Sequence, residues 1–230
     1  MSQVLGRVRE LHRYPVKSCA GERPDSLEIE ERGVVGDRLW AILDPDGKLG
    51  SGKSSRRFRR MDGLQRLRSR YDGAWPVITF PDGTEVRADD DRVHELLTAY
   101  VGRPVTLGRE QRISHFDEGP LHLVSTATLD AIGSVDARRL RPNLVLDLED
   151  HAGNEEDWSG RQVSVGDEVV VAVLYAMPRC VMLDHEQADL PPADGLLKTV
   201  TARRDGNAGI VADVVHGGTV RIRDEVRLSG

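Results

Sequence analysis

Short apolar runs alternate with polar turns along most of this chain. LWAILDPDGKLG (39–50) and VITFPDGTEV (77–86) each place Pro-Asp-Gly between two extended segments. Proline presets φ for a turn and glycine accepts a positive φ, so both stretches predict β-hairpins. VSVGDEV (163–169) and VRIRDEV (220–226) share the form V-x-(V/I)-x-D-E-V and predict two related hairpins. VVVAVL (169–174) is apolar at consecutive positions, which predicts a strand covered on both faces. In the final pair, Arg221, Arg223 and Arg227 alternate with Val220, Ile222, Val226 and Leu228, which predicts one wet face.

Three stretches carry helical spacing. Asp91 precedes a stripe of Val93, Leu96, Leu97, Tyr100 and Val101 that stops at Gly102. Ser125 or Thr126 caps a short helix ending at Gly133. Asp194 starts a third helix with Leu196, Leu197 and Val200 inward. None follows a strand in a regular βαβ rhythm, so a parallel doubly wound sheet is disfavoured. No glycine-rich phosphate loop of a recognised kind appears. The fold class expected is mainly β (α+β), with a closed or nearly closed barrel and a few short helices. The polar, turn-rich stretch after Val101 divides it into a β-rich part over 1–105 and a barrel over 106–230.

Composition narrows the function classes. No apolar run reaches membrane-span length, and the N-terminal MSQVLGRVRELHRYP has no apolar core of a secretory signal. Two cysteines in 230 residues suggest reduced thiols and a cytoplasmic location. They exclude a four-cysteine zinc site or an iron–sulfur cluster held by this chain alone. The 7 histidines show no HxxxH spacing. Net charge is −6, yet Lys53, Arg56, Arg57, Arg59, Arg60, Arg66, Arg68 and Arg70 crowd one stretch with only Asp62 among them. That stretch reads as a solvated basic face, an anion site or a dock for an acidic partner. Nucleic acid is disfavoured by the acidic whole and the lack of interleaved aromatics.

Four stretches carry candidate chemistry. YPVKSCAG (14–21) sets Lys17 beside Ser18, a point charge and a hydroxyl suited to phosphate. In GVVGDRLW (33–40), Arg38 either reaches an anion or pairs with Asp37. Ser125 and Thr126 open a helix, where they cradle an anion or simply cap it. Arg141 and Asn143 follow in RRLRPNLVLD (138–147), where Asn143 also suits a turn. Finally, YAMPRCVMLD (175–184) sets Cys180 next to Arg179. An adjacent guanidinium favours a thiolate. Cys180 is open to four roles: small core residue, disulfide partner of Cys19, nucleophile or metal ligand.

In order, YPVKSC, GDRLW, STATL, RPNLV, RC with apolar residues after it, and the last V-x-I-x-D-E-V resemble the MOSC family. That family is named for the C-terminal domain of molybdenum-cofactor sulfurase. The two-part form is similar to the mitochondrial amidoxime-reducing component and its bacterial relatives. The resemblance implies a β-rich MOSC N-terminal domain, a MOSC β-barrel and a molybdopterin cofactor in the cleft between them. It implies Cys180 as the thiolate ligand of molybdenum, flanked by Arg179. Lys17, Ser18 and Arg38 would hold the pterin and its phosphate, and Ser125, Thr126, Arg141 and Asn143 would complete an anion cradle. Pyridoxal phosphate ranks far behind as an alternative cofactor. The implied activity is reduction of N-hydroxylated small molecules, with electrons from a separate flavin or iron–sulfur partner docking on the basic stretch 53–70. Asp184 or His185 would deliver a proton. Rival readings are sulfur transfer through a Cys180 persulfide and a non-catalytic cofactor carrier. Pro178, Leu183 and Asp184 depart from the reducing relatives, where Ser and a Thr pair are common, and bear on substrate.

Overall fold

A computed structural model describes residues 3–228 of the chain. Its first half contains β1 (Val4–Leu11), β2 (Ser26–Glu30), β3 (Gly33–Val34), β4 (Trp40–Leu43), β5 (Leu49–Ser51) and β6 (Phe58–Arg60). These are followed by β7 (Arg68–Asp72), β8 (Trp75–Thr79), β9 (Glu85–Arg87), helix α1 (Val93–Val101) and β10 (Thr106–Arg109). The second half contains β11 (Leu121–Ser125), α2 (Thr126–Ala131), β12 (Leu144–Leu148), β13 (Gln162–Val165) and β14 (Val169–Pro178). It closes with α3 (Leu196–Arg204), β15 (Asn207–His216), β16 (Gly218–Arg221) and β17 (Glu225–Leu228).

Seven strands close a barrel in the order β1-β12-β11-β15-β14-β13-β17. Every neighbouring pair is antiparallel except β11 with β12. A parallel pair needs a long crossover, and α2 with the segment to Asn143 supplies it. Period-two alternation sends Val8, Leu123, Leu146, Val163, Val171 and Ile210 into one core, with Trp158 among them. A second core joins Val16, Cys19, Ile42, Leu64, Leu67 and Ile78 to Val93 and Leu97 of α1. It holds two small sheets, β10-β4-β5-β6 and β7-β8-β9. A third cluster packs α2 and α3 on the barrel through Leu129, Ile132, Val145 and Val200.

The mainly β class and the barrel agree with the sequence pattern. All three helices form, and the hairpins at 39–50, 77–86 and 163–169 pair as expected. Three details differ. Hydrogen bonding crosses the division at 105/106: β1 lies in the barrel between β12 and β17, while β10 pairs with β4. Closure explains the first, since a barrel lacking β1 would leave two open edges. The stretch 220–226 is not a hairpin: β16 pairs with β2, and β17 pairs with β1 and β13. The chain instead turns from one sheet to the other at Arg223, where φ is 78°. Strand β14 is covered on one face only. Val169, Val171 and Val173 point into the barrel, while Leu174 and Tyr175 are 41% and 42% exposed.

Candidate functional site

A cleft of about 1070 Å³, counting its open mouth, lies between the barrel end and the N-terminal sheets. Lys17, Ser18, Arg38, Arg141, Asn143, Arg179 and Cys180 all line it. Three of these residues hold left-handed backbone: Ser18 (φ 68°), Arg38 (φ 50°) and Arg141 (φ 56°). Residues with a Cβ rarely adopt that region, and such strain clusters at functional sites. The local frame is tight, with Lys17 N donating to Trp40 O at 2.7 Å and Arg38 N to Tyr14 O at 2.6 Å.

The basic groups differ in how their charge is balanced. Arg38 pairs with the fully buried Asp37 and also donates to Arg141 O at 3.0 Å. Burial works most strongly against its charge, but Asp37, Tyr14 and Asp117 together outweigh that and raise its pKa. Lys17 is 2% exposed and has Asp117 at 3.0 Å. Burial pulls its pKa down to about 8, with Asp117 opposing. Lys17 and Lys53 both lie 5.0 Å from the Phe58 ring. Arg141 faces Tyr14 at 4.3 Å, and Arg38 faces the same ring at 4.7 Å. The Nη2 of Arg141 is buried without a hydrogen-bond partner among the described residues. Burial, then the charge of Arg38, pull its pKa down. A buried guanidinium lacking a carboxylate is costly, and an incoming anion would relieve that cost.

Near Cys180 the frame is carried by Arg179. Its side chain donates to Ala208 O at 2.6 and 3.0 Å, to Leu140 O at 2.9 Å, and to Nε2 of His122. Burial holds the Arg179 pKa at about 9, with Cys180 opposing. His122 is kept neutral by burial and by that guanidinium. The ring of His122 sits where Gly209 has φ +81°, and an added Cβ there would lie 2.5 Å from Leu123 O and 2.7 Å from Nε2. Gly209→Ala is therefore expected to destabilise the protein by about 1–3 kcal/mol in urea unfolding. Cys180 is half-buried, a free thiol that opens the turn Val181–Leu183. Cys19 is also free, with burial pushing its thiol up to about 12, so it acts as a small core residue.

Several sequence assignments are corrected here. Ser125 is fully buried; its Oγ accepts from Thr128 N at 3.0 Å and donates to Glu155 at 2.6 Å. Thr126 Oγ1 donates to Asp147 at 3.2 Å. Neither lines the cleft, and a carboxylate, Glu155, already meets the start of α2. Asp184 does not line it either: its Oδ1 accepts from Leu197 N at 2.8 Å and caps α3. Asp184→Ala is expected to cost about 1 kcal/mol in a thermal melt and to leave cleft binding unchanged. Asn143 does line the cleft, yet its amide is spent on His122 N (3.2 Å) and His12 O (3.4 Å), tying β11 to β1. The basic stretch is largely neutralised by distant acids: Arg59 meets Asp44 and Asp46, Arg66 Glu186, Arg68 Asp189, and Arg70 Glu85.

Sequence reasoning missed Asp117, His122 and Arg139. Arg139 is buried and donates to the carbonyls of Leu183, His185 and Pro191, fixing the turn after Cys180. Its place in RRLRPN, two residues before Arg141, was a usable signal. His122 and Asp117 act on residues far away in sequence and had none. Among the described residues, no group of three or more His, Cys, Asp or Glu is arranged to hold a metal ion. None of the helices among them is long and apolar enough to cross a membrane.

A closed barrel whose end meets a second sheet layer over a cationic, thiol-bearing cleft defines the architecture. The MOSC domain profile matches residues 102–227 and that of the MOSC N-terminal beta barrel domain matches 5–72, so the chain belongs to the MOSC domain family. It is 25% identical to a molybdenum cofactor sulfurase of Oryza sativa subsp. japonica, over 76% of this chain and 28% of that protein. It is 36% identical to mitochondrial amidoxime reducing component 2 of Bos taurus over 55 residues, 22% of this chain and 16% of that protein. The chain thus spans less than a third of either relative's length. Among solved structures, the YuaD protein from Bacillus subtilis shares the fold, with TM-score 0.55, 14% identity, and 99% and 98% of the two chains covered.

Proposed function

We propose that the cleft binds the molybdenum cofactor and that the protein uses it to reduce N-hydroxylated small molecules. The observation that carries this reading is one wall holding an uncompensated buried guanidinium, Arg141, and an accessible thiol, Cys180. The donor set fits such a group. Lys17, Arg38 and Arg141 supply cationic donors for a phosphate, and Ser18 adds a hydroxyl that donates to Gly50 O at 3.0 Å and retains lone pairs. One protein thiolate suits a metal that arrives already held by an organic cofactor, and does not suit a bare ion. The bound group would supply two-electron redox chemistry at the metal. Lys17, Arg38 and Arg141 would orient it, and Cys180 would fix its metal end. With its pKa near 8, Lys17 is a cleft group able to hold a proton at Nζ near neutral pH.

Electrons would come from a separate flavin or iron–sulfur protein. Arg56 and Lys53 are the basic residues of the 53–70 stretch best placed for docking, since most others are paired. Two free thiols suit a reducing cytoplasm. Cofactor-loaded protein given an artificial reductant is expected to convert a hydroxylamine to its amine and water; loaded protein with no turnover would contradict the reductase reading. Sulfur transfer through Cys180 is the second reading, favoured by the sulfurase relative covering 76% of this chain. Incubation with a cysteine desulfurase and cysteine would then add one sulfur to Cys180 by mass spectrometry.

A further inference from the structure

A second cavity of about 640 Å³, counting its open mouth, adjoins the cleft at Arg141, which with Arg38 stacks on the Tyr14 ring. Arg141 is common to both walls, whereas Tyr14 lines only the second. Arg23, Arg68 and Arg138 also line it, against a single lining carboxylate, Asp189. Asp189 serves Arg68 at 2.7 Å and Arg138 at 3.0 Å, Asp136 also serves Arg138 at 2.6 Å, and Glu10 serves Arg23 at 2.9 Å. Among the described residues, nothing comparable serves Arg141. The Tyr14 hydroxyl is in the same position: Tyr14 is 2% exposed and its oxygen has no hydrogen-bond partner among the described residues.

Two buried polar groups are thus left unsatisfied beside a cavity rimmed by arginines. Leaving a buried donor unmade costs its full desolvation, so such pairs call for an acceptor. The acceptor chemistry is constrained. It must be negative, to balance a buried guanidinium. It must offer several oxygens, to meet a hydroxyl and a guanidinium together. Burial pushes the Tyr14 phenol up to about 12, with the two arginines opposing, so the hydroxyl stays a donor.

We propose that this second cavity is an oxyanion site, separate from the cleft, in which Tyr14 Oη and Arg141 Nη2 bind a phosphate group. The site goes beyond the cofactor reading; it shares Arg141 with that reading but not Tyr14, so Tyr14→Phe, probed with inorganic phosphate, tests it apart from the cofactor. The cleft and the second cavity then form two anion sites sharing one arginine wall.

Phosphate titrated calorimetrically into the full cofactor-free chain at low ionic strength is expected to fit two sites. Tyr14→Phe removes an oxygen that has no partner, so the fold is retained and the melting temperature is unchanged or higher. That variant should lose roughly tenfold in affinity at one site only. Lys17→Gln should weaken the other site and spare the Tyr14 one. Repeating the titration with glycerol phosphate separates free phosphate from a phosphate monoester, and tighter binding of either supports the site. An isotherm that Tyr14→Phe leaves unchanged, or a single phosphate lost entirely in Lys17→Gln, overturns it.

Discussion

Cys180→Ala is expected to abolish the proposed reductase activity while leaving the fold intact. Cys180 is half-buried in the cleft wall, so its truncation should shift stability by no more than about 1 kcal/mol. The loss of turnover should exceed the ~100-fold typical of removing an outer partner of a metal ligand, because on the proposed reading the ligand itself goes. Steady-state assays with an artificial reductant, alongside thermal melts, separate the two effects. Full activity in the alanine variant would remove Cys180 from the chemistry and leave the thiol as a cleft-wall residue.

Lys17→Met is expected to do the reverse, stabilising the protein and emptying the cleft. Burial lowers the Lys17 pKa from 10.5 to about 8, so its charge is held at a cost on the order of 3 kcal/mol. The sign follows from proton counting. Between pH 8 and 10.5 the unfolded chain binds the lysine proton and the folded chain has released it, so stability rises with pH there. The cost is therefore full below pH 8 and gone near pH 10.5. The variant's advantage over the wild type should be largest at pH 7 and shrink as pH rises through that window. Cys19 and Tyr14, both pushed up to about 12, change stability in the same range but cancel in the comparison. Chemical denaturation of both proteins at pH 7 and 10 measures this. A less stable variant at pH 7 would mean that the Asp117 pair more than offsets the burial of Lys17.

Local signals served the fold well and the pairing less well. The apolar stripe ending at Gly102, the Ser125 cap and the Pro-Asp-Gly turns act within a few residues, and each formed. The turn in VRIRDEV is just as local, but its flanking strands are claimed by β2 on one side and by β1 and β13 on the other. Those partners lie far off in sequence, so the motif holds no record of them. The same division runs through the site. Lys17, Arg38, Arg141 and Cys180 stand out as charged or thiol groups beside strand-like runs. Ser125 and Thr126 carry the chemistry of a cap and of an anion cradle alike, and only the Glu155 carboxylate beneath them decides between the two. His122 earns its place from Arg179, 57 residues away, across the end of the barrel. Asp184 stands with His185 as a candidate proton donor in the sequence, yet the backbone turns it toward α3.

Elemental analysis of protein purified from a molybdenum-replete host tests the central claim most directly. The account predicts about one molybdenum per chain in the wild type, and a large loss when Arg141 is replaced by Ala, since the cofactor's anionic group would lose that guanidinium. Wild-type protein that comes out of such a host folded and free of molybdenum would contradict it.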